Sequence, residues 1–291
     1  MARLRLLTRK FGRLGARVPW GRWLLVAILL PLQPIAARAE TSQCSREIRV
    51  AGRQVGRFLW ATPRGDVVGP LRDFFTLIGR RAGCVFRYDD VSAARADALV
   101  GAGEIDILPG ARTPERDADG RFVPLLSDRL VLISRSDEHL RIGSAEALVA
   151  SGVSIDIVRG YDFGPAYQAL LVAMARNGRV IEDVSLETIA RRMAAGRSDA
   201  ALMTAPPFVD AALAAGLADQ LQVTLLYGLP PVEGGVYLVE RVLAPADAKL
   251  LDRAIREGVR RGEFLDFYRR SVAGAAWGMT GVLTGDPGPL P

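Results

Sequence analysis

Two stretches far apart in the chain share one grammar. AGEIDILPGA (102–111) and AGRSDAALMTA (195–205) each run from a glycine that closes a helix, through an aspartate, into an apolar strand. Each also belongs to a unit that opens a helix with Gly-Pro, at Gly69-Pro70 and again at Gly164-Pro165. Proline at the first helical position suits the fixed φ and leaves the neighbouring N–H groups, at the positive end of the helix dipole, free for an anion. The repeated grammar implies two α/β units, and two such helix starts facing one another across a cleft would make an anion-receiving site.

The intervening sequence supports that architecture. Short β-like runs alternate with helical patterns almost throughout, which predicts an α/β fold with mostly parallel sheets. IRVA (48–51) starts the first unit, and Leu71, Phe74, Phe75 and Ile78 have helical spacing before Gly83. Strands are predicted over Cys84–Tyr88 and Ile105–Leu108, with a helix over Ala93–Gly101 between them. The long extended run FVPLLSDRLVLISR (122–135) leads to the second unit. There, strands at Val153–Val158, near Val180, at Ala200–Met203 and at Leu221–Leu226 are interleaved with helices over Pro165–Arg176 and Ser185–Ala195. An extended Gly234–Glu240 and a helix pair, Pro245–Arg261 and Glu263–Ser271, close the pattern. The tail 285–291 holds three prolines and two glycines and is predicted to be disordered.

The formal charge of +6 would ordinarily point to nucleic acid or a membrane surface. Its distribution removes that reading. Eight of the 38 basic residues lie before residue 40 with no acid among them, leaving 30 basic against 32 acidic residues in a nearly neutral body. The same segment has a charged start, the apolar run WLLVAILLPL (23–32) and then Ala37-Arg38-Ala39. This is the pattern of a secretory signal peptide over 1–39, cleaved after Ala39, and it predicts a periplasmic protein. Two cysteines follow, Cys44 and Cys84. In an oxidising compartment they either form a bridge or stay as two inert thiols, since spacing alone does not decide the geometry.

Taken in order, these features resemble the family 3 periplasmic solute-binding proteins of ABC transporters, over roughly residues 48–272. The resemblance rests on the helix-glycine-aspartate-strand run at 103–108 leading into Thr113-x-x-Arg116, and on Pro124 with Ser127-Asp128 in the connecting run. The glycine loop 159–164, Gly196-Arg197-x-Asp199-Ala200 and the closing Gly262-x-Phe264-x-x-Phe267-Tyr268 complete it. It implies a type II periplasmic binding protein fold, α/β, with two lobes joined by two crossing strands. Lobe one would comprise 45–132 and 236–274, and lobe two 143–230. The implied function is capture of a small carboxylate-bearing ligand, amino acid or organic acid, by a monomer that docks on the membrane permease of an ABC transporter, without cofactor or nucleic acid.

The resemblance also assigns residues. Thr113 and Arg116 match the positions that hold the ligand carboxylate, and a guanidinium suits that task because it donates two parallel charge-assisted bonds. Arg112 is expected to face elsewhere. Trp60 matches an aromatic that stacks on the ligand, with a core or rim position as the alternative. Tyr161 and Asp162 fall in the lobe-two loop whose amides meet the ligand, and Asp162 is expected to cap the helix at Pro165 in preference to touching the ligand. Thr204 departs from the pattern, because an aspartate there commonly pairs with the ligand's ammonium. An enclosed ammonium without a counter-charge is costly. Unless Asp66 or Glu233 substitutes, the expected ligand is an acid without a nearby amine.

Two other classes remain as alternatives. A dehydratase-like enzyme on the same fold would need catalytic groups, yet the chain has one histidine, His139, in a polar segment, no metal-ligand cluster and no G-x-G-x-x-G pattern. The chain is therefore read as a non-enzyme. A soluble sensory module docking on a periplasmic partner is the second alternative.

Overall fold

The computed structural model describes residues 43–52, 58–62, 64–217 and 219–271. The segment 1–39 expected to be a signal peptide, with its expected cleavage site, and the 285–291 tail lie outside the described residues.

The chain enters through β1 (Ile48–Ala51), a short hairpin of two-residue strands, β2 (Trp60–Ala61) and β3 (Val67–Val68), and helix α1 (Pro70–Ala82). Pro70 occupies the first turn of α1, which buries Leu71, Phe74, Phe75, Ile78 and Ala82 as the apolar spacing requires. Gly83 ends it in the left-handed region (φ 60°), its N–H donating to the Gly79 carbonyl. Strand β4 (Phe86–Asp89), α2 (Ala93–Gly101), β5 (Ile107–Ala111), α3 (Pro114–Asp117) and β6 (Arg121–Asp128) follow. The disulfide between Cys44 and Cys84 ties the start of this body to the end of α1.

The second half runs β7 (Leu130–Arg135), α4 (Ala145–Ala150), β8 (Ile155–Val158), α5 (Pro165–Ala175), β9 (Val180–Asp183) and α6 (Leu186–Ala194). It continues through β10 (Ala200–Thr204), α7 (Val209–Ala214) and β11 (Leu221–Leu225). The chain then returns as β12 (Val232–Leu238) and ends in α8 (Pro245–Arg260) and α9 (Glu263–Ser271). Two five-stranded sheets result, one ordered β4-β1-β5-β12-β6 and the other β11-β7-β10-β8-β9.

The sheets are mixed where mostly parallel ones were expected. β1 runs parallel to β4 and β5, but β12 is antiparallel to both β5 and β6. In the second sheet β8 is parallel to β9 and β10, while β7 is antiparallel to β10 and β11. The cause is the exchange itself, since the run expected as one extended segment serves both sheets. β6 ends at Asp128 in the first, β7 starts at Leu130 in the second, and β12 brings the chain back. Leu130–Leu132 thus lie in the second sheet and Val232–Gly235 in the first, a few residues from the lobe borders that the sequence suggests. Apolar patterning hides the switch, because Leu125 and Leu126 before it and Leu130 to Ile133 after it are all buried.

The repeated grammar has one structural meaning in both halves. Asp106, nearly inaccessible, accepts the Arg49 N–H of the neighbouring β1 at 2.8 Å and a two-pronged pair from Arg46. Asp199 accepts the Ser154 N–H at the entrance to β8, at 2.9 Å. Each aspartate anchors the strand beside its own. Strand β5 extends to Ala111 through Pro109-Gly110, past the predicted end at Leu108, because β12 supplies an antiparallel partner (Val236 opposite Pro109). The first core packs Phe74, Phe75, Leu251, Ile255, Phe264 and Tyr268 between α1, α8 and α9 and the first sheet. The second sheet is covered on one face by α6 and the Phe208 segment and on the other by α4 and α5.

Candidate functional site

A pocket opens where the chain crosses between the sheets. The first half contributes Pro109, Gly110, Arg116 and Asp128 to its wall, and the second Tyr161, Asp162, Thr204 and Pro207. Leu71, Leu125, Leu126, Phe163 and Val232 make the rest largely apolar. A second recess adjoins it, sharing Arg116, Tyr161 and Asp162, and is lined by the carboxylates of Asp97, Glu115, Asp119 and Glu182 together with Arg159.

Arg116 reaches this position because Thr113 starts a short helix. The Thr113 hydroxyl accepts the Arg116 N–H at 3.3 Å, and the Thr113 N–H donates to the Tyr237 hydroxyl at 2.9 Å. Tyr237 donates in turn to the Asp117 carboxylate, 3.0 Å away. Burial and the adjacent Asp117 push the Tyr237 hydroxyl well above its usual range, so it stays protonated. Thr113 is thus engaged as a cap and lines the second recess, not the first. Arg116 is 8% exposed, and its guanidinium is steered by Asp97 of α2: Nε donates to Oδ1 at 3.1 Å and Nη2 to Oδ2 at 3.0 Å. Nη1 donates to the Ala111 carbonyl at 3.3 Å. A guanidinium carries five N–H groups. One on each terminal nitrogen remains without a hydrogen bond to the described residues.

Arg112 does face elsewhere, paired with Asp117 and Glu233, both at 3.2 Å, and set over the Phe122 ring. That occupies Glu233 outside the pocket. Asp66 sits exposed in the turn that follows Thr62, outside both recesses. Neither acid supplies the counter-charge missing at Thr204, which is buried at the end of β10 opposite Leu130 and lines the pocket.

Trp60 lies half-buried in the β2–β3 hairpin opposite Val68, and it is not among the residues that line either recess. The aromatic on that side of the pocket is Phe58, itself stacked on Tyr268 with ring centroids 4.8 Å apart. Tyr161 lines both recesses, its ring edge-on to Phe163. Asp162 accepts the Gly164 N–H at 2.9 Å, and the residue in the capping position is Gly164 itself. The carboxylate therefore shapes the loop before the helix and does not cap it, because Gly164 stands one residue short of Pro165. His139 is exposed and stands apart from both recesses. Among the described residues no group of histidine, cysteine, aspartate or glutamate is arranged to hold a metal.

The two halves touch beside the pocket. A β-carbon on Gly160, whose φ is +79°, would lie 2.8 Å from the backbone nitrogen of Ala94 at the start of α2. The loop of one half thus packs directly on a helix start of the other.

Sequence reasoning passed over Asp128 as a site residue. It is 3% exposed, lines the pocket and accepts the Arg129 N–H at 2.7 Å. Burial pushes its carboxyl up to about 7. The available signal was the polar Ser127-Asp128-Arg129 set between the apolar stretches 122–126 and 130–133.

No protein-family model matches this sequence, and no curated protein matches it. Among solved structures, a histidine kinase sensor domain with similarity to periplasmic binding proteins superposes with a TM-score of 0.66, at 14% identity over 78% of this chain and 96% of that one. An ABC uptake transporter substrate-binding protein from Streptococcus pneumoniae with bound histidine gives 0.64, at 15% identity over 81% and 94%. An ancestral amino acid-binding protein, a precursor of cyclohexadienyl dehydratase, gives 0.62, at 15% identity over 77% and 94%. Identities this low speak for architecture only, and with the paired sheets and their crossing strands they show that the chain has the two-lobed type II periplasmic binding protein fold.

Proposed function

We propose that the chain is an extracytoplasmic solute-binding protein that captures a small carboxylate-bearing ligand between its lobes and delivers it to the membrane permease of an ABC transporter. The observation that carries this reading is the placement of Arg116, a buried guanidinium on the wall of an inter-lobe pocket that is otherwise mostly apolar. In such a wall a charge-assisted bond to a carboxylate is strengthened by the low local dielectric, and the two remaining N–H groups suit a carboxylate's two oxygens. The signal-peptide pattern at 1–39 and the histidine-bound transporter protein of the same fold support the same reading. Among the described residues no helix is long and apolar enough to cross a membrane.

The test is a thermal-shift screen of amino acids and matched carboxylic acids, with hits titrated by calorimetry in the wild type and in Arg116→Ala. Binding of at least one carboxylate that disappears in the variant supports capture. Binding that survives Arg116→Ala refutes the site.

A second reading is favoured by the sensor domain of the same fold. A soluble receptor would bind the same ligand but pass the signal to a separate membrane partner, and copurification with a permease separates the two. The dehydratase alternative, raised by the ancestral precursor, predicts turnover of the bound acid; the proposed binder returns it unchanged.

A further inference from the structure

The second sheet ends on β11, and this edge differs from the other three. The outer strands of the first sheet are β4, with Arg87 exposed, and β6, which starts at the exposed Arg121 and holds Pro124. The opposite edge of the second sheet is β9, with Glu182 exposed. Charges and prolines of this kind keep an unpaired strand from joining another chain. β11 has neither. It reads LQVTL, within a stretch from 220 to 229 that holds no charged residue, in a chain of which 24% is charged.

The register with β7 shows which backbone groups are left over. The Ser136 N–H donates to the Gln220 carbonyl and the Leu226 N–H to the Leu130 carbonyl, so the even-numbered residues of this stretch bond inward. Leu221, Val223 and Leu225 therefore turn their N–H and C=O groups outward, and no described residue pairs with them across that edge. The open row stops at Tyr227, whose N–H donates to the Gly143 carbonyl and whose carbonyl accepts the Ala145 N–H. The side chains of Leu221, Val223 and Leu225 pack half-buried against the core beneath α6 and α7. Gln222 and Thr224 take the other face, where the Gln222 amide donates to the Leu140 carbonyl at 2.8 Å.

We infer that β11 pairs with β11 of a second copy of this chain, antiparallel about a twofold axis through Val223, and joins the two second sheets into one. With Val223 on the axis, each Val223 faces the other and Leu221 faces Leu225 of the second copy. All the outward-turned residues then meet outward-turned residues, and each pair exchanges two hydrogen bonds. The faces agree as well, because the order apolar-polar-apolar-polar-apolar reads the same from either end. Leucine meets leucine and valine meets valine on the α7 side, and Gln222 meets Thr224 on the other. A twofold pairing would also punish charge by setting it close to its own copy, and 220–226 carries none. This self-matching favours a second copy over an extended segment of another protein. A five-residue strand is about 17 Å long, so the shared surface belongs to the class below about 1,200 Å² whose complexes are weak and reversible. A dimer replaces the monomer expected from the sequence. It is independent of ligand capture, since β11 contributes no residue to either recess.

The experiment is sedimentation velocity of the full mature chain without ligand, from micromolar to millimolar concentration. A reversible monomer–dimer equilibrium is expected. Val223→Lys sets two ammonium groups against one another at the axis and is expected to weaken the dimer about tenfold or more, with circular dichroism checking the fold. Because Val223 also packs on a core, single-cysteine variants give a second readout. Cys44 and Cys84 are bridged to each other, so an introduced thiol is the only free one. A short bismaleimide is expected to link Val223→Cys to itself, since paired Cα atoms lie about 5.5 Å apart. Leu221→Cys, about 13 Å from its own counterpart, is expected to link only when mixed with Leu225→Cys. A wild type that stays monomeric throughout overturns the inference and leaves the edge to an extended segment of another protein. A dimer unchanged in folded Val223→Lys, or one in which Leu221→Cys links to itself as readily as Val223→Cys, overturns it too, because the contact then lies elsewhere or in another register.

Discussion

Arg116 and Asp97 form a two-pronged ion pair, 3.1 and 3.0 Å long, that joins α3 to α2 and holds the guanidinium plane at the pocket wall. The carboxylate side chain is 39% exposed, so it can regain water if its partner is removed. Arg116→Ala is therefore expected to leave the fold intact, with a stability loss of about 1–3 kcal/mol from the lost charged hydrogen bonds. Ligand affinity should fall about 30-fold or more, the usual consequence of removing one partner of a buried charged hydrogen bond. Arg116→Lys should fail as well, because an ammonium cannot serve Asp97 and a ligand with one rigid fork. Calorimetry against circular dichroism melting separates the two effects.

Gly160 provides a test of lobe approach. Its positive φ and the 2.8 Å distance from a notional β-carbon to the Ala94 nitrogen leave no space for a side chain when the halves touch. Gly160→Ala is expected to weaken ligand binding by about tenfold or more, through a clash and left-handed strain of roughly 1–3 kcal/mol. Small-angle scattering at saturating ligand should then show a larger radius of gyration than in the wild type. An unchanged affinity and radius would mean that the contact plays no part in binding.

The disulfide closes a sequence separation of 40 residues between Cys44 and Cys84, beside a backbone bond from Cys44 to Gly83. Replacing both cysteines with serine is expected to cost about 2–5 kcal/mol of unfolding free energy. Denaturant titration of the oxidised wild type, the reduced wild type and the double variant measures it. The reduced protein and the variant should coincide.

Much of this was legible because it depends on local chemistry. Pro70 and Gly83 bracket α1, the aspartates 106 and 199 follow helix-ending glycines, and Arg116 follows its capping Thr113. What the sequence concealed depends on pairing between distant segments. The change of sheet at Arg129 leaves no trace in a run buried on both sides of it. Arg116's engagement by Asp97 needs α2 beside α3. Trp60 is an aromatic suited to stacking, but the short β2–β3 hairpin sets it apart from the recesses, and Phe58 takes the pocket side. Asp128 stood in plain view, and only the fold puts it on the wall of a cavity.

That burial has a consequence for stability that does not require a ligand. The Asp128 carboxyl titrates at about 7 in the folded chain, raised by burial, against about 3.9 when unfolded. Between these values the native state binds a proton that the unfolded state has lost, so stability falls as pH rises across the interval and levels off above the folded value. Three units correspond to roughly 4 kcal/mol, an upper figure because water entering the pocket would reduce it. Asp128→Asn removes this dependence. Asp156 is also raised by burial, but it is present in both proteins and cancels in their difference. Urea unfolding from pH 4 to 8 is thus expected to show the variant gaining on the wild type up to about pH 7 and running parallel beyond it. Parallel curves throughout would show that Asp128 is ionised at ordinary cost, in contact with water rather than sealed against the pocket wall.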